Sequence, residues 1–457
     1  MAKADAISTD DAPLTPPTLR EATAYWLKLG LLSFGGPAAQ IAMMHQDLVD
    51  KKRWISDKRF LHALNYCMVL PGPEAQQLAT YIGWLMHRSW GGIIAGGLFI
   101  LPSLLILIVL SWVYMRYGHL PEIAAMLYGI KPAVVAIVLF AAYRIGLRVL
   151  KHKLLWAIAL FAFVAISHFD LAFPWIVIMA ALLGSIGHHY FPQQFSVSKS
   201  HHASSRQHAK AVIDDVTPSP QHAKFSIKKM CKYLAAGLGM WLIVIAVLVL
   251  TYGWQSVLTQ MAWFFTKAAL MTFGGAYAVL PYVYQGAVEH YHWLTPHQMI
   301  DGLALGETTP GPLIMVVAFV GFVGGWTQPV FGGDHLLLSG MAAAGVVTFF
   351  TFLPSFLFIF IGAPLIESSQ NNLKLSAPLT GITAAVVGVI LSLALFFAQH
   401  VFFPGHSYNQ VDMTALMLAL LALWLLVKWN LSVIKLVSLC AVFGFVRYYL
   451  LPVVTGA

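Results

Sequence analysis

The sequence predicts an all-α polytopic membrane protein built from two inverted-topology repeats. Each repeat is expected to hold two broken or re-entrant helical hairpins and about four transmembrane helices. A cytoplasmic linker and one extra transmembrane helix join the two. Three observations carry this: charge is sparse while apolar runs are long, one set of motifs recurs at a fixed offset, and the bias of positive loops flips between the halves.

The 457 residues are 59% hydrophobic and only 10% charged. A soluble domain carries about a quarter charged residues, so this chain cannot cover a water-facing surface. Apolar runs of roughly 18 residues or more recur, enough to cross a hydrocarbon core of about 30 Å. The net charge of +9 lies largely in short clusters, as in cytoplasmic loops, and no nucleic-acid partner is implied. Cys67, Cys231 and Cys440 are far apart, which predicts no disulfide, no metal centre and no cofactor. Residues 1–20 are polar, with Asp10, Asp11, Pro13, Pro16 and Pro17. They lack the apolar core of a cleavable signal, so the first apolar segment is expected to direct insertion from a cytoplasmic N-terminus.

The repeat is read next. Phe34-Gly35-Gly36 recurs as Phe273-Gly274-Gly275, a shift of 239 residues. The same shift carries Lys28 onto Lys267, Trp54 onto Trp293, and Pro71-Gly72-Pro73 onto Pro310-Gly311-Pro312. Further along the shift becomes 252, carrying Leu101-Pro102-Ser103 onto Leu353-Pro354-Ser355. A longer loop around 327–339 accounts for the difference. The repeats are placed at 21–191 and 255–457. A polar stretch, 192–230, rich in Ser, His, Gln and Lys, reads as a solvated linker. The extra helix is placed at 231–254, with no first-half counterpart.

One extra crossing inverts the second half. Loop 46–59 holds Lys51, Lys52, Arg53, Lys58 and Arg59, whereas its partner 285–298 holds no Lys or Arg. The region 144–153 holds Arg144, Arg148, Lys151 and Lys153, and its partner near 396–410 holds none. That flip fits inverted repeats under the positive-inside rule. Keeping both basic loops inside requires an even number of crossings between them, yet three apolar segments intervene. Segment 60–87 is interrupted by Pro71-Gly72-Pro73, and Pro and Gly break helices. It and segment 21–45, broken at Gly35-Gly36-Pro37, are therefore read as re-entrant hairpins. This gives about nine crossings, four hairpins and a periplasmic C-terminus. The competing count of 13 full crossings places loop 46–59 outside.

Together these motifs resemble the chromate ion transporter family, in its long two-domain members. The resemblance runs through Ser33-Phe34-Gly35-Gly36-Pro37, Leu70-Pro71-Gly72-Pro73-Glu74, Thr272-Phe273-Gly274-Gly275-Ala276 and Thr309-Pro310-Gly311-Pro312. It covers almost all of the chain beyond residue 20. Ala276 stands where the first half has Pro37, so the second break is expected to be less sharp. The resemblance implies export of chromate across the bacterial inner membrane and chromate resistance. Sulfate, of similar shape and charge, is the expected competitor.

The residues point to an anion as well. Irregular backbone at membrane depth is tolerated only where it is buried or lines a cavity. Each break starts a half-helix whose free N–H groups and dipole favour an anion. Candidate substrate residues are Lys28, Ser33, Phe34, Gly35, Gly36, Pro37, Gln40, Pro71, Gly72, Pro73, Gln76 and Gln77 in the first half. In the second they are Lys267, Thr272, Phe273, Gly274, Gly275, Thr308, Thr309, Pro310, Gly311 and Pro312. Lys28 and Lys267 either attract the anion or snorkel to an interface. Lys131 also lies in an apolar stretch, without a repeat partner. Glu74, Glu307 and Asp301 are candidates for proton coupling, or else cap helices and pair with lysines. The histidines around the linker, His188 to His222, read as a polar loop rather than a metal cluster.

No Walker A sequence is present, so the expected drive is the membrane potential or a proton gradient. Oxyanion uptake or exchange is the alternative transport reading. A membrane-embedded lipid-phosphate enzyme is the remote one, because no His-Glu-x-x-His or Gly-x-Ser-x-Gly pattern occurs. The other expected partner besides substrate is the lipid bilayer. A homodimer is carried by analogy with inverted-repeat transporters alone.

Overall fold

The computed structural model describes residues 15–169, 171–190, 211–214, 220–273, 275–368, 376–403 and 411–455. The chain is helical, and the first half opens with two short helices, α1 (Leu19–Leu32) and α2 (Gly36–His45). Then come α3 (Asp57–Cys67), α4 (Glu74–Tyr117), α5 (Pro121–Val149), α6 (Lys153–Phe169) and α7 (Phe173–Tyr190). Helix α8 (Ile227–Tyr252) separates the halves. The second half repeats the order with α9 (Val257–Leu270), α10 (Ala276–Tyr284), α11 (Pro296–Thr308) and α12 (Val316–Thr327). It ends with α13 (Leu336–Ser368), α14 (Ser376–Phe402), α15 (Met413–Trp429) and α16 (Val433–Thr455).

Local chemistry sets many of these boundaries. Thr18, Ser56, Thr295 and Asp412 each cap a helix by accepting a first-turn N–H, as N-cap residues do. The 239-residue shift carries Ser56 onto Thr295, and it carries other backbone details too. Both α2 and α10 run into a π-turn, Gln46–Lys51 and Gln285–His290. Both turns are followed by a residue in left-handed backbone, Arg53 and His292, each with φ 51°. Trp54 and Trp293 then return an N–H to the Leu48 and Ala287 carbonyls, both at 2.8 Å.

The broken segments are pairs of short helices. At 10–14 residues, α1, α2, α9 and α11 are about 15–21 Å long at 1.5 Å per residue, less than a bilayer core. Helices α11 and α12 form a hairpin with Pro310-Gly311-Pro312 at its tip. A Cβ on Gly302 would meet the Phe319 ring at 2.3 Å, and one on Gly306 would meet Val316 at 3.2 Å. The equivalent hairpin in the first half is α3 with the first limb of α4. That limb ends at His87 and Arg88, where φ/ψ leave the helical region (−128°/29° and 57°/−154°). Beyond the kink the chain doubles back. Gly91 lies against Gly83, where a Cβ would sit 2.2 Å from the Gly83 carbonyl oxygen, and Gly96 lies against Thr80.

Among the described residues, five helices are long and apolar enough to cross a membrane: α4, α5, α8, α13 and α14. Shorter apolar helices include α6, α7 and α15. Many large apolar side chains face outward, among them Leu147, Trp156, Leu160, Trp175, Leu250 and Met417. So large an exposed apolar surface suits lipid contact. Helix α8 buries only Gly237 and Leu248 and stands at the periphery. The halves interlock at small residues, as membrane helices do. Gly129 of α5 and Gly444 of α16 cross so closely that a Cβ on either would lie about 2 Å from a partner carbonyl oxygen. Gly381 of α14 approaches Ala180 and Gly184 of α7 in the same way.

Two expectations change in detail. The extra helix starts at Ile227 rather than 231, so Lys228, Lys229 and Lys232 form its first turns. The linker is not simply a solvated strand. Val212 and Ile213 donate to the Arg53 and Trp54 carbonyls at 2.9 and 3.1 Å, and Ser56 donates to Ile213 at 3.0 Å. His222 bonds the Trp84 carbonyl at 3.0 Å, and Ala223 is fully buried. These are the linker's apolar points, and they cover Ile55 and Trp84. Burial holds the His222 ring below the usual histidine pKa. Residues 1–14 and most of the histidine-rich linker, His201, His202 and His208 included, lie outside the described residues.

Candidate functional site

The four breaks meet in two crossed pairs. The Gly72 N–H donates to the Thr272 carbonyl at 2.7 Å, and the Gly311 N–H donates to the Ser33 carbonyl at 2.9 Å. The 239-residue shift turns one bond into the other. Each Pro-Gly-Pro tip therefore docks on the Phe-Gly-Gly break of the opposite half. That reciprocity is the mark of a two-fold contact.

Glycine is required at both tips. Gly72 and Gly311 have φ +129° and +103°, a region L side chains avoid. Neither has room for a Cβ, which would lie 2.4 Å from Ser355 Oγ at Gly72 and 2.8 Å from Ser103 Cβ at Gly311. The flanking prolines Pro71, Pro73, Pro310 and Pro312 lack an N–H, so they leave the glycine amide as the donor at each tip.

Buried polar atoms gather around these junctions. Gln40 is fully buried, and its Nε2 donates to the carbonyls of Gly311 (2.5 Å) and Ser33 (3.2 Å). Gln77 Nε2 donates to the Pro71 carbonyl at 2.8 Å, and Gln76 Nε2 to Thr80 Oγ1 at 3.0 Å. The Oε1 atoms of Gln40, Gln76 and Gln77 have no protein partner, nor do the hydroxyls of Ser33, Ser103 and Ser355. Buried polar groups are rarely left so. Such hydroxyls can donate to an anion, and such amide oxygens can accept from water or a protonated oxyanion. The half-helices α2, α4 and α10, and the turn Leu313–Met315 that leads into α12, start beside these breaks. They direct first-turn N–H groups there.

The other predicted residues divide. The hydroxyls of Thr272, Thr308 and Thr309 are engaged by the carbonyls of Ala268, Leu305 and Gly306 at 2.7, 2.9 and 2.9 Å. Phe34 and Phe273 are half-buried beside the breaks, and Gly274 lies outside the described residues. A cavity of about 10 Å³ is bounded by Gly35, Gly36, Gly306, Glu307, Thr309 and Gly311, and it has room for roughly one water. Glu307 accepts from the Tyr277 hydroxyl at 2.5 Å. Asp301, two turns earlier on α11, accepts from the Tyr114 hydroxyl at 2.9 Å and lies 3.7 Å from the Lys131 ammonium. Glu74 is half-buried at the start of α4.

The two repeat-related lysines stand in unlike surroundings. Lys28 is exposed on α1, and Lys267 is half-exposed with its ammonium 5.6 Å from the Trp263 ring centre, a cation–π distance. Asp301 is engaged by Lys131 and Tyr114, and Glu307 by Tyr277. Ser103 and Ser355, which the sequence offered only as repeat markers, turn out to be junction residues. Their signal was present in the doubled Leu-Pro-Ser. Among the described residues no three His, Cys, Asp or Glu side chains gather as a metal site.

The chain is 32% identical over 438 residues to the chromate transport protein of Cupriavidus metallidurans, covering 95% of this chain and 94% of that one. It is 35% identical to the chromate transport protein of Pseudomonas aeruginosa, over 86% of this chain and 84% of the other. It is 31% identical to a probable chromate transport protein of Synechococcus elongatus, over 82% and 83%. No solved structure matches. The profile of the chromate transporter family matches twice, at residues 20–185 and 259–445. With both halves matched, this apolar, all-helical chain is an integral membrane protein and belongs to the chromate transporter family.

Proposed function

We propose that this protein is a secondary transporter that exports chromate across a bacterial inner membrane, and that the oxyanion passes through the two junctions where Pro-Gly-Pro tips meet Phe-Gly-Gly breaks. The observation that carries the reading is the reciprocal pair of bonds, Gly72 to Thr272 and Gly311 to Ser33, set among buried hydroxyls and amides without protein partners. Non-helical backbone in hydrocarbon survives only when buried or lining a cavity. The names of the relatives supply chromate as substrate.

In this reading the repeats span 21–191 and 255–457 in opposite orientations, and the short helix pairs are re-entrant. The N-terminus and linker face the cytoplasm and the C-terminus the periplasm. The cavity beside Glu307 and Gly311 is too small for an oxyanion, so transport requires the junction to open. Glu307 is the proton-coupling carboxylate closest to the path: an anion beside it favours its protonated form. Asp301 is held by Lys131 and Tyr114 and acts from two turns further away. Glu74 is the acid that follows the first tip. The basic side chains Lys28 and Lys267 stand off the junctions and attract the anion from the approach.

Moving one charge through 100 mV is worth about 2.3 kcal/mol, and a dianion gains roughly twice that. Everted membrane vesicles with an inside-positive potential should therefore accumulate radiolabelled chromate, and excess sulfate should compete. Collapsing the potential and the proton gradient should abolish accumulation. Accumulation that persists without either gradient would contradict this mechanism, and absence of flux in vesicles holding folded protein would remove chromate export.

A further inference from the structure

Two serines are placed as no feature of the family profile or of the relatives' names requires. Ser103 and Ser355 each follow a Leu-Pro step, 252 residues apart, on the long helices α4 and α13. Both are buried, at 0% and 1% exposure, and neither hydroxyl has a hydrogen-bond partner. A helical hydroxyl in an apolar setting usually bonds the carbonyl four residues back. Thr272, Thr351 and Thr383 in this chain do so, at 2.7 Å each. Ser103 and Ser355 do not.

What they face is the opposite half's broken backbone. Ser103, from the first half, lies against Gly311, where a Cβ would come 2.8 Å from its Cβ and 3.3 Å from its Oγ. Ser355, from the second half, lies against Gly72, where a Cβ would come 2.4 Å from its Oγ. The Gly72 and Gly311 amides are already bonded to Thr272 and Ser33. Each hydroxyl is thus an unpartnered donor packed against a tip. Helices α4 and α13 cross antiparallel, with Gly92 against Phe360 and Gly96 against Phe356. This puts the two serines on opposite sides of the crossing, one per junction.

We propose that Ser103 and Ser355 are substrate ligands, two symmetry-related stations at which a hydroxyl donates to a tetrahedral oxyanion as it moves from one junction to the other. This rests on the reading of the junctions as the oxyanion path. A neutral donor suits a transported ion, because it replaces hydration without the trapping that a fixed buried cation would impose.

The test is initial-rate chromate flux in everted vesicles for the wild type, Ser103→Ala, Ser355→Ala and the double variant, with protein amount and thermal stability measured in parallel. A hydrogen bond to a charged group lost at one station should raise KM for chromate roughly tenfold. Both single variants should show it, with stability equal to or above wild type, since removing an unpartnered buried hydroxyl costs no native bond. Ser103→Cys and Ser355→Cys, which keep the volume with a weak donor, carry the same test if an alanine variant fails to fold. An unchanged KM in either single variant overturns the two-station assignment while leaving export intact. A wild type without flux would instead overturn the export reading beneath it.

Discussion

Gly311 and Gly275 separate two uses of glycine at a break. Both lie at positive φ, +103° and +100°, but Gly311 is packed against Ser103 and Phe99 while Gly275 has nothing within 4 Å of a Cβ position. Gly275→Ala should cost only the backbone strain, about 1–2 kcal/mol. Gly311→Ala adds overpacking of roughly 1–3 kcal/mol on top and displaces the tip. Thermal unfolding of the purified protein in detergent checks this: Gly311→Ala should melt several degrees below Gly275→Ala, and equal melting points would contradict the packing. The glycines were legible in the sequence because a broken motif needs them. Facing was not. Lys28 and Lys267 stand in apolar runs, yet one is exposed and the other rests on Trp263. An apolar context says a charge is costly; it does not say which side of the helix carries it.

Among elements, the breaks were readable and their joints were not. Segment 60–87 ends where its apolar run does, and α4 leaves helical φ/ψ at His87 and Arg88. The longer second-half connection expected around 327–339 appears as an irregular stretch and the short turn Gly333–His335 before α13. The contact between α5 and α11 was not readable, because Lys131 and Asp301 are 170 residues apart and have no equivalents at the repeat offsets. It is a buried pair, with side chains 25% and 4% exposed, and Tyr114 completes it from α4. Breaking a buried pair strands the remaining charge. Lys131→Met should therefore destabilise the protein by roughly 1–3 kcal/mol, discounted from the fully buried case because the lysine keeps some solvent. Lys131→Met/Asp301→Asn should recover much of that loss in the same melting experiment. A double variant no more stable than the single one would mean that the pair does not act as a unit.

At the scale of the molecule, the sequence showed which residues are equivalent but not which of them touch. The 239-residue shift predicts that Gly72 and Gly311 play the same part. It does not predict that each plays it against the other half. That crossing comes from packing: α5 meets α16 and α7 meets α14 at glycine contacts, and the two tips are carried into reciprocal bonds. Neither half alone contains a complete junction, so the site depends on both repeats.

The most direct test of the account is to find the ion. Crystals of the protein grown with chromate, measured at the chromium absorption edge, should give an anomalous peak at one or both junctions, within hydrogen-bond distance of Ser103 Oγ or Ser355 Oγ. A chromium peak lying only beside Lys28 or Lys267, with both junctions empty in a protein that transports chromate, would contradict the account.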